Sequence, residues 1–305
     1  MFLGNNKLML GKDCKLIYKS KNYYTKRLKV LENEKYIRRV DRVYIKLDDK
    51  GTKMVKSFGY DYSFMCRKKK YMKRVKEIAR IAALSIDSTM EFVASWNLKS
   101  ENVYTEQSRM YIGELKYLGA KNLVYYVSKD KEAAYIRLII NDIQKIVGYS
   151  NIIIFMENYK FLSNSKSLFF ANESTRIIDP TQQNLDIMRK LEKGDIYQII
   201  REIYKGTEIL LSNWKKANYM TDDRIYIVVM PFIDITKLHA LNIFFNNNPS
   251  TNRKIDIITL KENKSKINDI LVKEINIIEL DEWLEKLDEE LYIDNNIFNF
   301  NEFDT

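Results

Sequence analysis

Lys12–Lys56 reads KDCKLIYKSKNYYTKRLKVLENEKYIRRVDRVYIKLDDKGTKMVK. In Lys12–Lys19, Cys14, Leu16 and Ile17 make a short apolar face, and Ser20 or Asn22 can cap a following helix. In that helix Tyr24, Leu28 and Leu31 recur at i, i+4 and i+7, the spacing of one buried stripe. The opposite face carries Asn22, Tyr23, Thr25, Lys26 and Lys29, side chains able to donate hydrogen bonds. Lys35–Val40 and Val43–Leu47 read as two strands joined at Asp41-Arg42, with Val43, Ile45 and Leu47 pointing inward by alternation.

Two helices followed by a basic hairpin is the order of a winged helix. Its second helix fits the DNA major groove, and the hairpin lies against a flanking groove or phosphates. Arg38, Arg39 and Arg42 suit that task because planar guanidinium groups pair with phosphate oxygens. The plainer alternative is a small α+β packing unit with a solvated basic surface. Residues 1–11 are short for a further full helix, so the first helix is expected to be missing or reduced to Lys7–Leu10. After the hairpin, Lys53–Phe58 is expected to be helical and to end at Gly59.

Charge distribution favours a polyanion as partner. Residues 1–80 hold 24 Lys and Arg against 8 Asp and Glu, whereas the remaining 225 hold 27 against 33. The basic excess is therefore concentrated at the N-terminus, where Arg67-Lys68-Lys69-Lys70 can also track a phosphate backbone. No apolar run of 18 residues spans a bilayer, and no signal peptide opens the chain, so double-stranded DNA is the expected partner rather than a membrane. Cys14, Cys66 and a lone His239 lack metal-ligand spacing, so no metal or cofactor is expected and the thiols fit a reduced, cytoplasmic setting.

The 305 residues have room for two domains, and 46% hydrophobic content fits a globular chain. The expected division is a winged helix over 1–60, a basic linker over 61–71, an α/β domain with a mixed sheet over 72–290, and an acidic tail over 291–305. Met72 to about Trp96 reads as one long amphipathic helix. Strands are expected at Met110–Tyr117, Leu123–Ser128, Asn151–Met156, Ser167–Ala171, Thr175–Ile178, Arg224–Met230 and Lys254–Leu260, the last as an edge strand. Helices are expected from about Glu132 to Val147, from Pro180 to Lys193, at Ile196–Tyr204, around Trp214, at Leu238–Asn246 and at Glu279–Leu291.

TKRLKVLENEKYIRR, then VYIKLDDKG, then the long helix before YIGELKY and LVYYVSK resemble the replication-relaxation proteins of plasmids and conjugative elements. The resemblance covers most of 12–156. It implies a restriction-endonuclease-like core over about 72–156, a role in replication, maintenance or conjugative transfer of a mobile element, and replication or transfer proteins or a second copy as partners. A nuclease of that type sets two carboxylates and a lysine around a metal. Glu114 occupies the first acidic position and Lys129 the lysine, but Val127 stands where the second acid belongs. In a second frame Glu114-Leu115-Lys116 is itself the acid-x-lysine, and Asp87 and Glu91 are placed in the long helix, away from the strands. The two competing functions are a metal-dependent nicking enzyme, which could use Tyr23 or Tyr24 as nucleophile, and a transcriptional regulator whose α/β domain senses a ligand.

Overall fold

The computed structural model describes residues 2–18, 21–60, 62–64, 69–86, 88–98, 110–146, 148–157 and 172–286. The chain divides into two compact units, one of residues 1–127 with 134–155 and one of residues 128–133 with 156–305. The architecture is α+β with mixed sheets.

The first unit opens with α1 (Phe2–Asn6), β1 (Met9–Leu10), α2 (Cys14–Tyr18), α3 (Lys21–Asn33), β2 (Ile37–Val40), β3 (Tyr44–Leu47) and α4 (Asp49–Ser57). A short helix thus precedes Lys7, and part of the stretch expected as the reduced first helix is a strand. β1 runs antiparallel to β3, with Met9 opposite Ile45, and β3 pairs antiparallel with β2, giving the order β1-β3-β2. Leu28, Ile37, Ile45, Met9 and Cys14 share one core, with Tyr24 and Leu31 packed against it, so the apolar stripe of α3 faces inward as its spacing requires. Ile17 and Val43 do not join it: both are exposed, Val43 because it belongs to the turn rather than to the strand. That turn has positive φ at both Asp41 and Arg42, 48° and 63°. α4 approaches the β2 end so closely that a Cβ on Gly51 would stand 2.0 Å from the Tyr36 carbonyl oxygen.

The unit continues with α5 (Lys69–Ala82), β4 (Glu91–Ala94), α6 (Ser95–Leu98), β5 (Gly113–Tyr117), β6 (Ala120–Val127), α7 (Ala133–Ile143) and β7 (Asn151–Met156). The long helix expected to Trp96 ends at Ala82. Ser85 and Ser88 donate side-chain hydrogen bonds back to the Ala82 and Leu84 carbonyls, and Ile86 is extended. The remaining apolar positions then serve β4. Of the expected linker 61–71, residues 62–64 and 69–71 are described, and the helix that begins at Lys69 packs with the N-terminal elements. Leu8 packs with Val75 and Ala79 of α5, and Ala83 and Ile86 join the core beneath α3. A five-residue α1 offers little apolar surface, and α5 completes the burial. β4, β5 and β6 are antiparallel, and β7 lies beside β6 in the order β7-β6-β5-β4. Leu118 and Gly119, both with positive φ, close the β5–β6 hairpin in two residues.

The second unit contains β8 (Ser174–Ile178), α8 (Gln182–Lys193), α9 (Ile196–Ile203), β9 (Ile209–Leu211), β10 (Tyr219–Thr221), β11 (Tyr226–Val229), β12 (Ile233–Asp234), α10 (Ile235–Asn247), β13 (Ile255–Thr259), α11 (Lys264–Ile270) and β14 (Asn276–Glu279). Thr181, Asp195 and Asp234 cap α8, α9 and α10 through side-chain oxygens. β12 pairs with β8, and a five-stranded mixed sheet runs β14-β13-β11-β10-β9, parallel across its first three strands and antiparallel across the rest. β13 is buried along its whole length between two partners, so it is an interior strand and not an edge. Trp214 lies between two strands instead of within a helix, and β14 occupies the start of the expected last helix, which is helical over 281–286. The expected strand Ser167–Ala171 and the tail 291–305 lie outside the described residues.

Candidate nucleic-acid interface

The buried stripe of α3 fixes which of its side chains face solvent. With Leu28 inward, Tyr23, Thr25, Lys26, Arg27 and Lys29 are exposed. Lys26, Arg27 and Lys29 form no ion pair among the described residues. They are three exposed cations on one helix of 13 residues, long enough to lie along a groove. Tyr23 is 55% exposed and its ring meets the edge of Tyr18 at 5.7 Å between centroids, so it stands as a surface aromatic. Tyr24 belongs to the core side. Asn22 is the second residue of the helix, and its side chain is outside the described ones.

On the hairpin the three arginines are not equivalent. Arg39 Nε lies 2.8 Å from Glu32 Oε1, and its Nη1 donates to the Arg42 carbonyl oxygen at 3.4 Å. Arg38 Nε lies 3.7 Å from Asp48 Oδ1. Arg42, exposed at the tip, has no ion pair among the described residues. Two of the three guanidinium groups expected to meet phosphate are therefore already engaged by carboxylates of α3 and of the residue preceding α4. Neither Glu32 nor Asp48 was singled out from sequence, since each partner is several residues away and comes close only when β2 folds back. Lys76 of α5, also missed, ion-pairs with Asp41 and places its ammonium 5.3 Å from the Tyr44 ring centroid, tying the hairpin to the next helix.

Of the run Arg67–Lys70, only part is described. Lys69 and Lys70 open α5, with Lys69 exposed and the Lys70 side chain outside the described ones, and Arg67 and Lys68 lie outside the described residues. In the core beneath α3, burial pushes the Cys14 thiol up from 9.0 to about 11, with Asp13 adding to the rise and Arg39 opposing it. The thiol is a packing group.

The nuclease reading places Glu114 and Lys129 together, and the structure gives them different partners. Glu114, on β5, accepts a hydrogen bond from the Tyr149 hydroxyl and lies 3.5 Å from Lys121 Nζ. Lys129 is exposed in a turn after β6, its backbone N–H donating to Glu157 Oε2 at 3.0 Å. Val127 is fully buried. Glu91, assigned by sequence to a helix, is on β4 directly opposite Lys116, with Nζ 3.6 Å from Oε1. Among the described residues no group of three or more His, Cys, Asp or Glu is arranged to hold a metal ion, and no helix is long and apolar enough to cross a membrane. Comparison with protein families, with curated proteins and with solved structures gives no match for this chain.

Proposed function

We propose that this chain is a sequence-selective double-stranded DNA-binding protein in which residues 1–60 act as a winged helix. α3 is the helix that enters the major groove, and the β2–β3 hairpin is the wing against flanking phosphates. The observation that carries this reading is the exposed face of α3, with Lys26, Arg27 and Lys29 unpaired by carboxylates among the described residues, set beside a three-stranded sheet whose hairpin tip presents Arg42. The order helix, strand, helix, helix, strand, strand and the sheet order β1-β3-β2 support it. The resemblance to replication-relaxation proteins suggests the setting: replication, maintenance or transfer of a mobile element, with the α/β remainder, akin to a restriction-endonuclease-like core, serving homodimerisation or contacts with replication or transfer proteins.

The test is selection of bound duplexes from a random library, followed by titration of the selected site at several salt concentrations. Each phosphate contact contributes about −0.9 to the slope of log affinity against log salt. Replacing Lys26, Lys29 and Arg42 together by Glu removes three such contacts, so the slope should become shallower by about 2.7 and binding at low salt should collapse. Thermal unfolding should be nearly unchanged, because exposed substitutions away from packed contacts shift stability by no more than about 0.5 kcal/mol each. A triple variant that binds the selected duplex as the parent does would remove α3 and the wing from the interface.

A further inference from the structure

The second unit holds a cavity of about 330 Å³ at the N-terminal ends of its parallel strands, lined by Ile225, Phe245, Ile255 and Ile275 with Arg253, Lys254, Lys273, Asp256, Glu274 and Asn276. We propose that it is a mononucleotide-binding site, with the phosphate held by Arg253, Lys254 and Lys273 and a donor-bearing base edge held by Asp256. The proposal stands independently of the DNA-binding reading.

The cationic side is unusual in how Arg253 is held. Its guanidinium carbon lies 4.4 Å from the ring centroid of Tyr226, 4.7 Å from that of Trp214 and 5.3 Å from that of Phe244. Stacking on aromatic faces fixes the plane of the group while leaving its N–H edge unspent, and among the described residues no carboxylate pairs with it. An arginine ordered in advance loses little side-chain freedom when it forks onto a phosphate. Lys254 and Lys273 are exposed on the same rim. Lys273 spends one donor on the Thr251 carbonyl oxygen at 3.0 Å, which leaves two of its three. Neither lysine forms an ion pair among the described residues, and Glu274 is the sole carboxylate on the outer lining beside them.

The inner side has the opposite chemistry. Asp256 is 7% exposed and has no cationic partner among the described residues. Its oxygens accept one hydrogen bond each, from the Tyr204 hydroxyl at 2.5 Å and from Asn276 Nδ2 at 2.9 Å. A carboxylate has about four acceptor positions, so capacity for two further donors remains. A ligand that fills the cavity must therefore be anionic at one end, flat or apolar in its middle to meet Phe245 and the isoleucines, and rich in donors at the other. A nucleoside monophosphate has those three parts in that order. Of the purines, guanine presents N1–H and N2–H side by side, a match for a carboxylate, whereas adenine sets an acceptor there and meets repulsion. The volume is at the small end of the range for metabolite sites and excludes a dinucleotide.

The experiment is isothermal titration of the full chain with GMP, AMP and inorganic phosphate, with the melting temperature followed in parallel. GMP should bind and raise the melting temperature, AMP should bind about tenfold more weakly or less, and phosphate alone should bind weakest. Lys254→Glu with Lys273→Glu, checked for folding by circular dichroism, should abolish GMP binding. Asp256→Asn, if folded by circular dichroism, should erase the preference for GMP over AMP. Absence of GMP binding at millimolar concentration, equal affinity for GMP and AMP in the parent chain, or binding indifferent to the double lysine reversal would each overturn the assignment. DNA binding is measured separately on the same protein, so loss of one function is distinguishable from loss of the other.

Discussion

Neutralising an acidic residue on α3 should strengthen DNA binding. Glu32 holds Arg39 at 2.8 Å, and the two side chains are 24% and 42% exposed, so the pair is open to solvent and to an incoming phosphate. A phosphate that accepts from Arg39 must stand about 6 Å from the Glu32 carboxylate, where like charges in water repel by about 0.7 kcal/mol, roughly threefold in affinity. In Glu32→Gln that repulsion disappears and Arg39 is released from competition, adding up to one full phosphate contact. The salt slope should then steepen by about 0.9. Low-salt affinity for the selected duplex should rise about three- to tenfold. Loss of an exposed pair of this kind costs about 0.2–1 kcal/mol, too little to unfold the module. Fluorescence anisotropy at 50, 100 and 200 mM salt reads all of this. The gain must act through Arg39, so Glu32→Gln combined with Arg39→Gln should bind no more tightly than the parent. Unchanged or weaker binding by Glu32→Gln, or a gain that survives without Arg39, would show that the hairpin does not meet phosphate in the way proposed.

Two predictions concern the support beneath that surface. Leu28→Ala empties a site 4% exposed at the centre of the core shared by α3, β1, β2 and β3, and should cost about 2–5 kcal/mol in urea unfolding while sparing the basic face. Cys14 has its thiol pushed from 9.0 to about 11 by burial, so it stays protonated in the folded chain over a range where the unfolded chain has ionised. Its contribution to stability is complete below pH 9 and is lost as pH rises from 9 toward 11, so the urea midpoint of the parent should fall more steeply across that window than that of Cys14→Ala.

How far the fold is legible in the sequence depends on the range of the interactions that decide each element. Asn151–Met156 and the inward stripe Tyr24, Leu28 and Leu31 are carried by local pattern, and the structure has both. The end of α5 is not carried that way. Met90 and Val93 continue the helical spacing from Val75, yet the helix ends in a turn where serine hydroxyls return to the Ala82 and Leu84 carbonyls and Ile86 is extended. β1 is two residues long and exists because Met9 and Leu10 find Ile45 and Tyr44, a pairing across more than thirty residues that no window on the sequence contains. The unity of residues 1–60 with α5 is likewise tertiary, resting on Leu8 against Val75 and Ala79. On α3 and the hairpin, the identity of the cations is readable from the sequence, but their availability is not. Arg38 and Arg39 look equivalent to Arg42 until Asp48 and Glu32 are placed beside them.

The same distinction between possession and availability bears on the acid-x-lysine frame. With β4 formed, Glu91, Glu114 and Lys116 lie on one face of the β4–β5 pair, because Glu91 is opposite Lys116 and Val93 opposite Glu114. The acid-x-lysine frame thus gains a second carboxylate on a strand, contrary to the helical placement expected from the sequence. The lysines on that face answer both acids: Lys116 approaches Glu91 at 3.6 Å, and Lys121, directly across from Lys116 on β6, approaches Glu114 at 3.5 Å. Tyr149 donates to the other Glu114 oxygen. A hard divalent cation needs oxygens converging on one point and would have to displace two ammonium groups to find them. The cross-strand pair Glu91–Lys116 and the diagonal pair Lys121–Glu114 offset the repulsion between Lys116 and Lys121, which stand opposite each other, and that role requires neither metal nor substrate.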